Sequence, residues 1–247
     1  MNYFDYSEVT WPIRADIADA HTIFWQALAR PGSWWTGTQR IAIAAESRQA
    51  VDCDFCQARK QALSPYAFAG EHQSVSSLSS TTIDAVHRII TDQGRITQKY
   101  VDDNEADGLT KAAYVELVGI VVAVFSIDEF HRAMGIPIET LPTPEAGEIS
   151  RYTPAHLSED MGFVPTVSLT GSVGQEADLW PTGVTANVVR ALTLVPDALR
   201  DWRALAAAQY LSFAGMQNFV QDDARSINRM QMELVAGRVS AINECFY

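Results

Sequence analysis

Cysteine is scarce in this 247-residue chain: there are three, Cys53, Cys56 and Cys245. An odd, low count excludes the disulfide framework of a small secreted domain. Long apolar runs are also missing. The longest, residues 117–127, is roughly half the length that a membrane-spanning helix needs, about 20 residues, so it reads as a buried core helix. Basic residues are few, 18 against 30 acidic ones, for a net charge of −12. Such a chain repels phosphate backbones and anionic lipid surfaces, which argues against nucleic-acid and membrane partners. Residues 1–11 are acidic and aromatic, without the basic region and apolar core of a signal peptide, so a cytoplasmic location is expected. Convincing apolar–polar alternation is absent too, which removes the strand signal.

Helical patterning is what remains. Apolar residues recur at helical spacing over 17–29, stopped by Pro31-Gly32, and an Ala-rich stretch covers 40–50. A helix over 53–63 ends at Ser64-Pro65. Ser80 opens another, with Thr81, Thr82 and Asp84 in its first turn, a stripe of Ile83, Val86, Ile89 and Ile90, and a break at Gly94. Thr110 is placed to N-cap a long helix, 111–134, closed by Gly135. Residues 136–181 are rich in proline, glycine, serine and threonine and read as a linker with local order, a candidate lid. Helices resume near Ala186, over 199–214 and over 229–241. The expected organisation is all-α: a complete unit over 1–138, a linker over 139–183 and a partial second unit over 184–247. A weak internal repeat supports two units. Residues 50–55 lie over 242–247, each with an acid just before the cysteine and an aromatic residue two after it.

The Cys53-Asp54-Phe55-Cys56 pair is the strongest chemical signal. A thiol acts as a nucleophile only as thiolate, and a helix start lowers its pKa through unpaired N–H groups. The sequence places Asp52 as N-cap, Cys53 as the first helical residue and Cys56 one turn in, with Arg59 and Lys60 within reach of Cys56. Such a pair can cycle between dithiol and disulfide. Zinc is the competing use of a CxxC, but it needs two further ligands. His72 and His87 are available, at spacings unlike any compact zinc module, so the dithiol reading is preferred and no cofactor or metal is expected.

Three more polar residues are candidates. Glu46, seven residues before Cys53, could accept a proton near the dithiol, or could be an ordinary solvated helix charge. Glu116 interrupts an apolar helix, so it must be paired or protonated, as a functional acid or a tethered structural one. His131 follows fifteen residues later on roughly the same face, as a catalytic group or as a capped or surface histidine.

These residues resemble the alkylhydroperoxidase-D-like (carboxymuconolactone decarboxylase-like) family, in which a glutamate stands twelve residues before a CxxC and a histidine four after it. Glu233 stands twelve before Cys245, so the C-terminal stretch is similar to the first part of that pattern. At the N-terminal pair, position twelve before Cys53 is Ile41 and the histidine position is Lys60. Glu46 is then the substitute for the glutamate, and Lys60 or His72 for the histidine. The resemblance implies an all-α fold, homo-oligomers, and peroxide reduction in which Cys56, as the more exposed thiol, attacks, Cys53 resolves the sulfenic acid, and an external dithiol restores the pair. A lactone-acid decarboxylase or a degenerate binding scaffold is the alternative. In the C-terminal copy, Cys245 is followed by two residues where the pattern asks for a second redox residue. Three explanations compete: a shortened sequence, a natural truncation, or a UGA codon read as stop, with selenocysteine completing the motif. Glu233 would then be the relay acid of that site.

Overall fold

The computed structural model describes residues 3–64, 66–180, 185–211, 215–216 and 225–242. The fold is mostly helical, as expected, with one two-stranded sheet among the described residues. The chain divides into two compact units, residues 1–205 and 206–247.

In the first unit, α1 (Ala15–Ala29) and α2 (Gly37–Val51) pack as neighbours, and α2 lies against both α4 (Ser80–Thr91) and α6 (Lys111–Met134). Between them, α3 (Asp54–Gln61) rests on α4. The helices start where the chain offers caps. Thr36 forms a capping box with Gln39 at the head of α2, Ser79 accepts from the Thr82 N–H at α4, and Thr110 accepts from Ala113 at α6. Gly135 closes α6 at φ 68°, the left-handed conformation that favours glycine. Both ends of α6 fall where the sequence puts them.

Trp25, Leu28, Ile43, Leu117, Val124 and Ile127 fill the space between α1, α2 and α6 and are fully buried. Each such side chain contributes about 1.5–3 kcal/mol by leaving water. Charges enter this core only in pairs. Arg40 binds the Glu116 carboxylate, and Arg48 grips both oxygens of Asp128 at 2.8 Å. The helix α5 (Gln98–Ala106) is an addition that the sequence reading lacks.

Residues 139–180 are not a free linker. Trp25 donates its indole N–H to Thr140 O, Glu145 N–H bonds Ala29 O, and Arg151 N–H bonds Ser33 O, so the segment is laid across the end of α1. It then forms the hairpin-like pair β1 (Leu157–Ser158) and β2 (Thr166–Val167), in antiparallel register. The short α7 (Asn187–Arg190) places Arg190 on Val167 O, Ser158, Asp160 and Thr166, which ties this segment together. Next comes α8 (Pro196–Gln209), which meets α6 at Gly119: a Cβ there would come within 2.9 Å of the Ala198 Cβ. In the second unit, α9 (Arg229–Ile242) carries Glu233, which accepts from Tyr210 at 2.8 Å and pairs with Arg229. No single described helix is long and apolar enough to cross a membrane.

Candidate functional site

The site is built where α2, α3, α4 and the loop between α3 and α4 converge. One residue separates the expected helix start from the real one. Asp52 ends α2, and Cys53 is the N-cap of α3, with Asp54 as the first helical residue. Cys56 is then in the first turn, so both sulfurs face the same way. Their sulfurs lie 3.6 Å apart, as free thiols. Both cysteines are 0% exposed, so Cys56 is not the more accessible thiol that the family resemblance implies.

Two imidazoles close over the sulfurs. His72, from the loop, puts Nδ1 3.3 Å from Cys56 Sγ and 3.9 Å from Cys53 Sγ. His87, from α4, puts Nδ1 3.2 Å from Cys56 Sγ. The two rings sit 4.3 Å apart. Each histidine has a carboxylate on its far nitrogen: Asp84 at 3.0 Å from His72 Nε2, and Glu46 at 3.2 Å from His87 Nε2. A carboxylate at Nε2 favours a proton on that nitrogen, so in its neutral form each ring turns its Nδ1 lone pair to the sulfurs.

The carboxylates are themselves fixed. Asp84 receives Arg59, Arg88 and the Tyr100 hydroxyl as well as His72; burial pushes its carboxyl up, but His72, Tyr100, Arg59 and Arg88 outweigh it and hold the group far below the usual range. Glu46 is fully buried and accepts from Ser74 Oγ at 2.6 Å and from Val75 N–H at 3.0 Å. Burial pushes its pKa up, but the hydrogen bonds from Ser74, Ser76, His87 and Val75 outweigh this and hold it below the ordinary value. At Cys53, burial likewise acts upward, while the Cys56 and Gln73 N–H groups and His72 bring the thiol pKa down overall. His72 is raised to about 9, because Asp84 and the two sulfurs overcome the desolvation of its ring. His87 is lowered, chiefly by burial.

The loop over residues 66–79 is exposed along most of its length, and His72 is its inward anchor. Phe55 supports that anchor from below, with its ring edge-on to His72 and stacked on Phe68. Gly70 lets the loop pass: a Cβ there would stand 2.5 Å from the Phe55 ring.

Of the residues singled out from sequence, Cys53, Cys56, Glu46 and His72 come together here. The others do not. Lys60 is exposed on the outer side of α3, and Arg59 turns to Asp84 rather than to Cys56. Glu116 is a tethered structural acid, held by Arg40 and by the Trp34 N–H. His131 bonds the Tyr6 hydroxyl at 2.8 Å and Pro137 O at 2.7 Å. Glu233 is engaged with Tyr210 and Arg229, and Cys245 lies outside the described residues. Two residues that sequence reasoning did not assign to the site are central to it, His87 and Asp84. The signal was there: His87 falls within the apolar stripe of α4, where a buried imidazole demands a polar partner, and Asp84 stands one turn before it. The long separations that set His72 and His87 apart from a compact metal module are closed by the fold. No family model, curated protein or solved structure matches this chain.

Proposed function

We propose that the chain is an alkylhydroperoxidase-D-like protein whose Cys53–Cys56 pair is a redox-active dithiol, working as a thiol peroxidase or dithiol–disulfide oxidoreductase. The observation that carries this reading is the alignment Glu46–His87–Cys56: carboxylate, imidazole and thiol in line at 3.2 Å and 3.2 Å, with a second sulfur 3.6 Å away. It is the acid, base and nucleophile arrangement that activates a weak nucleophile. The family's relay order is absent from the sequence, and this array supplies the same three groups from α2, α3 and α4.

In the proposed cycle, His87 takes the Cys56 proton and Glu46 stabilises the imidazolium. The Cys56 thiolate attacks the terminal oxygen of a hydroperoxide, the O–O bond breaks, and the proton goes to the departing alkoxide. This yields an alcohol and a Cys56 sulfenic acid. Cys53 attacks that sulfur, water leaves, and a disulfide forms. An external dithiol returns two electrons and two protons. Because both sulfurs are covered, the 66–79 loop with His72 must move aside to admit the peroxide.

The test is peroxide consumption with a dithiol reductant, wild type against Cys56→Ser. The expected loss is about 100-fold or more; equal rates would remove the reading. We propose further that the protein is a homo-oligomer. In the stretch 184–247, Leu192, Leu205 and Leu211 are buried within the chain and Val188 is exposed. The exposed apolar residues of α9, Leu234, Val235, Val239 and Ile242, are the better support. A light-scattering mass above the 27.2 kDa of one chain is expected, and a mass equal to it at high concentration would refute assembly.

A further inference from the structure

The four groups that meet at the dithiol also have the geometry of a metal site. We infer that the reduced protein binds one Zn²⁺ through Cys53, Cys56, His72 and His87, and that the bound metal and the Cys53–Cys56 disulfide exclude each other; the second clause rests on the dithiol reading.

The distances carry the first clause. All four donor atoms lie within 4.8 Å of one another. Tetrahedral Zn²⁺, with Zn–S of about 2.3 Å and Zn–N of about 2.0–2.1 Å, needs S···S of about 3.8 Å and S···N of about 3.5 Å. Here S···S is 3.6 Å, and three of the four S···N distances are 3.2, 3.3 and 3.9 Å, the fourth lying within the same 4.8 Å limit. The two histidines present the nitrogen that a metal requires. Asp84 and Glu46 occupy both Nε2 atoms, the outer-shell arrangement that fixes a ligating imidazole and raises its basicity. Charge balances as well. Two thiolates neutralise the ion, and Arg59 and Arg88, both paired with the half-buried Asp84, equal in number the carboxylates Asp84 and Glu46. With four protein donors and both sulfurs at 0% exposure, the site is closed, as in structural rather than catalytic zinc centres.

The second clause follows from electron counting. A zinc-held pair of thiolates has no free nucleophile. Oxidation by a peroxide removes two electrons from the sulfurs, forms the S–S bond, consumes two protons, gives alcohol and water, and leaves two imidazoles that cannot hold the ion alone. The metal would therefore protect the reduced pair, and oxidation would release it.

The experiment uses the full chain, reduced and freed of metal with a chelator. Titration with Co²⁺ alone reports tetrahedral geometry through its visible bands and thiolate ligation through near-ultraviolet charge transfer; Zn²⁺ then displaces it. One equivalent per chain is expected. Cys56→Ser, which removes one of the two thiolates, should weaken binding and lower the charge-transfer band of any bound Co²⁺, and Asp84→Asn, which keeps all four donors, should weaken binding by about 10–100-fold. Far-ultraviolet circular dichroism of both variants separates ligand loss from misfolding. No saturable binding by the wild type, or unchanged binding in a folded Cys56→Ser, would overturn the site. Thiol loss under peroxide is then followed with and without Zn²⁺. Protection by the metal supports the exclusion. Equal loss in both arms overturns the exclusion and leaves the dithiol reading standing, whereas no loss in the metal-free protein overturns the dithiol reading and leaves the metal site standing.

Discussion

Arg40 and Glu116 show what a single buried charge demands of its surroundings. Burial pushes the Glu116 carboxyl up, against the opposing pull of Arg40 and the Trp34 N–H, and Gly32 is held close by: a Cβ there would overlap the Glu116 carboxylate. Removing one partner leaves the other charged and dry. Glu116→Ala should cost about 3–5 kcal/mol in urea denaturation. The double variant Arg40→Met with Glu116→Leu should recover most of it, and a double variant no better than the single one would contradict this account. His21 makes the matching case for protons. It is fully buried against Tyr6, Phe4, Phe130 and His131, and burial first, then the His131 charge, lowers its pKa to about 4. Between the ordinary value of about 6.5 and that figure, the unfolded chain holds a proton that the folded chain refuses. The stability that His21 contributes is therefore intact above about pH 6.5 and is lost as the pH falls toward 4, by an amount on the order of 2–3 kcal/mol. Replacing it by Gln should flatten the acid side of the stability–pH curve by roughly one proton; an unchanged slope would show that His21 does not carry the effect.

Elements depend on close approach as much as on patterning. At Gly119, α6 and α8 come near enough that Gly119→Val should destabilise by about 1–3 kcal/mol through overpacking. Ala198→Gly on the facing helix should restore part of the loss, and thermal melts of the pair would detect its failure to do so. The helices that the sequence made legible are those with local punctuation. Thr110 and Gly135 mark both ends of α6, and Pro31-Gly32 marks the end of α1, because caps and breakers act within a few residues. By contrast, α5 has little to read: nine residues, mostly polar, with Tyr100 and Val101 its buried apolar pair. Residues 139–180 mislead for a related reason. Proline and glycine announce the lack of regular structure, yet say nothing of the tertiary hydrogen bonds that fasten the segment to α1. At the site, the cysteines, Glu46 and His72 were legible by type and spacing. The role of His87 was not, because its partners, Cys56 and Glu46, are 31 and 41 residues away and only the packing of α2 against α4 brings them together.

At the scale of the whole molecule, the six residues of the centre, Glu46 to His87, fall within one short stretch of a 247-residue chain. Loop-closure entropy grows only with the logarithm of length, and local contacts form before distant ones repay their cost. Folding should therefore begin around α2 and α4, with the centre assembled before residues 139–180 are laid against α1. The order in which amides become protected would reveal it. In pulsed hydrogen exchange during refolding, α2 and α4 should gain protection ahead of the strand pair at 157–167. Simultaneous protection of both regions would mean that the chain folds as one cooperative body, and that the chemistry cannot mature ahead of the rest of the fold.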